Sequence, residues 1–139
     1  MTEHTTGLTP RITLAMLKGA CKEQRDIFRA EWPDGVDVTI ENVRRAQELG
    51  LTLAWGEHWF TVPARKAYTA ARVPARKAYD EARVAARKAY DAGTAPAWEA
   101  YHEAIAPAWK AYDEAIATAW VAAYLQSVEE REDQPSRAS

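Results

Sequence analysis

The chain has little of what builds a large core. Of 139 residues only two are Phe and two are Met, and Leu, Ile and Val are sparse. Much of its 47% apolar content is alanine, with six Trp and six Tyr. Alanine buries little area, so a broad single core is not expected. There is one cysteine, Cys21, which excludes an internal disulfide and fits a reducing compartment. No apolar run approaches the roughly 20 residues that span a bilayer. The opening "MTEHTTGLTPR" lacks the charged-then-apolar pattern of a secretory signal. Glycine-rich phosphate loops are missing, and His4, His58 and His102 share no ligand spacing with Cys21 or with each other. No metal, cofactor or catalytic centre is expected, Cys21 is expected to be a packed small residue, and the protein is expected not to be an enzyme. A cytoplasmic protein without membrane contact is expected.

A strong charge of one sign is also missing, since the net charge is −2. Neutrality conceals a division. Residues 63–95 carry eight basic and three acidic groups, net +5, whereas residues 96–128 carry one and four, net −3.

Short helices account for residues 8–60. Thr13 caps a turn or two in "LAMLKGA", and a helix is expected from Lys22 to about Trp32. "WPDG" stops it, because Pro and Gly break the period and Asp-Gly favours a turn. "VDVT" suits a short extended piece. Thr39 reads as the N-cap of a helix over Ile40–Leu49 with Gly50 at its C′ position. Thr52 starts a last helix carrying Leu53, Trp55, Trp59 and Phe60. The expected core joins those four to Leu14, Leu17, Cys21, Ile27, Phe28, Val43, Ala46 and Leu49. It is small, marginal by itself, and needs cover from the helix that follows.

From Pro63 the chain aligns on itself every eleven residues without gaps: "PARKAYTAARV", "PARKAYDEARV", "AARKAYDAGTA", "PAWEAYHEAIA", "PAWKAYDEAIA" and the degenerate "TAWVAAYLQSV". Eleven residues make three helical turns. On a helix, the alanines at repeat positions two, five and nine share a face with the tyrosine at position six. The charged positions and the prolines lie opposite. An interior proline loses one hydrogen bond and costs about 3 kcal/mol. It does least harm facing water, and that is where the spacing puts it. The expected fold is all-α: a small helical N-terminal domain, 8–60, then a long proline-bent hendecad helix over 63–128, with a disordered acidic tail at 129–139. The alternative is a helical hairpin turning at 92–96, where "DAGTAP" interrupts the repeat. A hairpin would set Arg65, Arg76 and Arg87 near Trp120, Trp109 and Trp98 in cation–π range.

An alanine face needs a partner. The expected packing or oligomer interface is Tyr68, Tyr79, Tyr90, Trp98, Tyr101, Ile105, Trp109, Tyr112, Ile116 and Trp120, met by a second copy or another protein. Arg65, Lys66, Arg76, Lys77, Arg87 and Lys88 form a second candidate surface, a nucleic-acid contact tracking a phosphate backbone. The neighbouring acidic block competes for it.

"LKGACKEQRDIF" and "VDVTIENVRRAQELGLTLAWGEHWF", followed by tandem "PARKAYDEA" and "PAWKAYDEA", resemble a group of small uncharacterised bacteriophage and prophage proteins. Those combine a short helical domain with Pro-Ala-Arg/Trp-x-Ala-Tyr units. The resemblance covers roughly residues 8–126 and implies a viral or prophage origin and a hendecad coiled coil, in the bacterial host cytoplasm or the virion. It implies no activity. Ala85 replaces the usual proline and the last copy moves its tyrosine to Tyr124, so that copy reads as a cap. Three functions are expected in order: a self-associating structural or protein-interaction protein, a nucleic-acid-binding accessory protein, and a phage inhibitor of a host protein.

Overall fold

A computed structural model describes residues 10–92 and 97–133, with the side chains of Ala97 and Trp98 left outside that description. Its elements run β1 (Arg11–Ile12), a 3₁₀ turn (Leu14–Leu17), α1 (Lys22–Glu31), β2 (Val36–Asp37), α2 (Ile40–Glu48), a second 3₁₀ segment (Leu53–Trp59), α3 (Val62–Asp91) and α4 (Ala97–Glu132). The fold is all-α apart from one two-residue ladder. In it Arg11 faces Asp37 and Ile12 faces Val36, antiparallel. "VDVT" thus supplies a strand, whose partner is the segment before Thr13. No helix among the described residues is long and apolar enough to cross a membrane.

Local chemistry fixes the head. Thr39 Oγ1 accepts from Asn42 N at 3.1 Å and starts α2. Gly50 follows the end of α2 at φ +89°, a conformation that favours glycine. Cys21 is the N-cap residue of α1 and is exposed, not packed in the core. A cap stands at the solvent end of its helix, and the inward face of α1 begins further on, at Phe28. Of the expected core, Leu17, Phe28, Val43, Ala46 and Phe60 are buried, and Leu14, Leu53, Trp55 and Trp59 pack against it part-buried. Ile27 and Leu49 are only half-buried, and Ile12, Ala20, Val36 and Val38 join the core.

The repeats form the hairpin alternative, not one rod. α3 and α4 pack antiparallel along their length. Facing pairs include Thr61 with Glu130, Tyr79 with Tyr112, and Tyr90 with Tyr101. In each of these pairs the residue numbers add up to 191. A single helix would have left the tyrosine rows in water, whereas the reversal lets each row cover the other. Of the turn expected at 92–96, residues 93–96 lie outside the described residues. Pro74 and Pro107 lie inside α3 and α4 and are exposed, as the repeat spacing requires.

The head sits across the open end of the hairpin. Its core continues through Phe60, Ala64 and Tyr68 into Ile116, Ala117, Trp120, Val121 and Tyr124. Trp120 Nε1 donates to the Leu53 carbonyl at 2.9 Å, and Gln47 Nε2 to the Asp113 carbonyl at 3.0 Å. Gly56 lets head and helix approach closely, since a Cβ there would stand 2.8 Å from Trp120 Cζ2. Residues 129–132, expected in the tail, are the last turn of α4. There Arg131 donates to the Trp59 carbonyl, and Glu130 accepts from Thr61 and Gln126. Residues 134–139 of that tail lie outside the described residues.

Candidate interaction surface

Two antiparallel helices joined through the same repeat position have two distinct faces. The position just before the tyrosine turns to one face on both helices, and the position just after it turns to the other. This follows from handedness alone, because antiparallel helices wind in opposite senses as seen from one end. Here the head occupies the face after the tyrosine. It holds Asp113, Ala117, Trp120, Val121 and Tyr124 from α4, and Glu57 O accepts from Arg65 Nη2 at 2.8 Å.

The seam between the helices is aromatic. Tyr79 lies 5.3 Å from Trp109 and 5.4 Å from Tyr112, and Tyr90 lies 5.8 Å from Tyr101. Burial grades along it. Tyr68 near the head is 3% exposed and touches Phe60 at 5.4 Å. Ile116 and Trp120 are also buried there. At the head's edge Tyr112 is half-buried and Trp109 is 50% exposed, and further along Tyr79, Tyr101 and Ile105 are half-buried and Tyr90 is 37% exposed. The Trp98 side chain lies outside the described residues.

The cation–π contacts differ from the expected ones. Arg72 and Arg83, at repeat position ten, stand over Tyr68 and Tyr79 at 5.5 and 5.7 Å. An arginine four residues after a tyrosine shares its helix face and reaches the ring without crossing the seam. Trp120 is taken by the head, where it stacks on Tyr124 at 5.5 Å and 4° and meets Phe60 and Trp59. Arg65 is occupied by Glu57, and Arg76 and Arg87 pair along α3 with Asp80 and Asp91 at 3.5 and 3.3 Å. The contact between Arg87 and Trp98 falls outside the described residues. Lys66, Lys77 and Lys88 are exposed on the outer edge of α3. The six basic candidates therefore line one helix, three of them held by oxygen partners.

A cleft of about 340 Å³ lies between head and hairpin, with Glu57, Tyr68, Arg72, Trp109 and Asp113 among its walls. Burial raises the Asp113 carboxyl above its ordinary value, opposed by Arg44 at 4.0 Å. Inside the head a cavity of about 80 Å³ is bounded by Phe28, Trp55, Trp59 and Trp120. That is about half the engineered apolar cavity that admits benzene, so it is a packing gap. His58 Nδ1 donates to the Trp55 carbonyl at 2.6 Å. Among the described residues no three His, Cys, Asp or Glu side chains are placed to hold a metal ion.

Sequence reasoning missed the clamp that closes the hairpin. Ser127, fully buried, accepts from Thr61 N at 2.9 Å and donates to the Ala123 carbonyl at 2.8 Å. Thr61 caps α3, accepting from Ala64 N at 3.3 Å, and donates to Glu130. The signal was present in the degenerate last repeat. Val121 and Tyr124 stand where earlier copies carry Lys or Glu and Thr, Asp or His, so this turn needs cover on its normally wet side. No protein-family model, curated protein or solved structure matches the chain.

Proposed function

We propose that this is a non-catalytic structural or protein-interaction protein that self-associates through its hendecad hairpin. The observation that carries this reading is the unequal cover of the repeats. Near the head, Tyr68 and Trp120 are 3% exposed, yet Trp109 at the head's edge and Tyr90 on the projecting part are 50% and 37% exposed. Aromatic side chains set at a strict eleven-residue spacing and left half in water fit a surface that a second protein completes. The resemblance of the repeat to phage and prophage proteins supports a viral origin, with the host cytoplasm or virion as its setting.

Molar mass by light scattering at about 100 μM tests the reading, as a dimer of this size closes at micromolar affinity or better. A mass of two or more chains is expected. A strictly monomeric protein that also captures no partner removes it. Nucleic-acid binding through Lys66, Lys77 and Lys88 stays second, because Arg65, Arg76 and Arg87 have protein partners. Inhibition of a host protein is third and rests on origin alone.

A further inference from the structure

The face of the hairpin opposite the head is bare and nearly uncharged. At position five, Ala67, Ala78, Ala89, Ala100, Ala111 and Ala122 are all exposed, on both helices. These alanines were expected to share the tyrosine's buried face, but each helix spends that face on the other and leaves this side over. Small side chains let helices approach closely, which makes the face fit for packing and does not say against what.

Charge says what. α3 carries eight basic and three acidic groups, and α4 carries two and seven. The two helices lie side by side, so the hairpin has one positive and one negative edge. From the geometry we infer that two copies stack bare face to bare face, each α3 over the partner's α4, with both heads at the same end. This rests on the self-association proposed above and gives it a second surface and an orientation; Trp109 faces the head side and lies outside this contact. Rotating one hairpin by half a turn about its long axis produces this arrangement, an isologous contact. It keeps residue heights, so residues whose numbers add up to 191 stay level between copies as they are within one.

The edge charges obey that rule. Beyond the head the exposed charged residues on the α3 edge are Lys77, Glu81 and Lys88, whereas Lys66 lies level with Leu125. The residues level with them on α4 are Glu114, Lys110 and Glu103, also exposed. Each pair is of opposite sign, and the one acid among the three on α3 meets the one lysine of the projecting part of α4. Within a chain these partners sit on opposite outer edges, two helices apart. α2 runs beside Lys110 and Glu114, where its Arg44 is engaged by Asp113 and its Arg45 by Glu31 and Glu48. The alternative stacking, α3 on the partner's α3, sets lysine edge against lysine edge.

Two reciprocal variants test the inference: Lys77→Glu with Lys88→Glu, and Glu103→Lys with Glu114→Lys. All four sites are exposed, and unchanged helicity by circular dichroism checks folding. Each variant alone is expected to dimerise about tenfold or more weakly at low salt, since symmetry repeats every reversed pair. Mixed in equal amounts, they are expected to form a heterodimer of wild-type strength. In a Cys21→Ser background, Ala78→Cys mixed with Ala111→Cys is expected to give the mixed disulfide under mild oxidation. Unweakened association of both variants, or a disulfide only between two Ala78→Cys chains, overturns the stated orientation while self-association stands. A monomeric wild-type protein overturns the self-association on which it rests.

Discussion

Ser127 serves two helices with one hydroxyl, accepting a hydrogen bond from Thr61 N and donating one to the Ala123 carbonyl. Replacing it by alanine strands the Thr61 amide beside a filled core. Ser127→Ala is therefore expected to cost about 1–3 kcal/mol in urea denaturation, with an unchanged m-value. Tyr68 gives a pH test. Burial pushes its hydroxyl up to about 12, so the folded state holds a proton that the unfolded chain releases near pH 10. The unfolded state binds fewer protons in that window, and stability falls as pH rises through it. The fall is roughly 1.4 kcal/mol per pH unit. Tyr124 is raised by the same cause and adds to it. Tyr68→Phe keeps the ring and is expected to flatten the alkaline limb of a melting profile by about half. At this scale the sequence was partly legible: Thr39 and Gly50 announced their caps, whereas nothing near Cys21 marked it as a cap residue at the surface.

At the scale of the element, the prolines are the feature to test. Pro74 interrupts α3 on its wet side, where the freed carbonyl meets water. Pro74→Ala restores a hydrogen bond and removes a steric clash, offset by a looser unfolded chain. A net gain of about 2 kcal/mol is expected, seen as a rise of several degrees in the thermal midpoint by circular dichroism. Helices, their faces and the outward prolines were all readable, because each follows from eleven residues spanning three turns. Rod against hairpin was not. Every tyrosine keeps its position in either arrangement, and only the contact between the two halves distinguishes them. The short ladder was half readable: "VDVT" looks extended, but its partner Arg11–Ile12 carries no alternation long enough to show.

Across the whole molecule, head and hairpin share one core, and the repeats beyond it are in register by number. Removing residues 74–84 together with 97–107 takes one unit from each helix and keeps every remaining pair level. That shortened chain is expected to melt within about 5 °C of the parent. Removing 74–84 alone leaves eleven residues of α4 unmatched, and a loss of roughly 10 °C or more is expected. Scanning calorimetry on both chains reads the difference. The candidate surface was legible in its members, such as Tyr79, Tyr90 and Trp109, but not in its two-sidedness. That needs the hairpin, which turns one set of alanines inward and the position-five set outward.

The clamp between Thr61 and Ser127 joins residues that are 66 apart, and Trp120 reaches Leu53 across 67. Residues 10–60 therefore cannot finish folding until α4 has been made. Their tryptophans wait, uncovered, while the repeats are translated. Chaperone capture during translation should be concentrated in that interval, and emergence of residues 116–127 is the event that ends it.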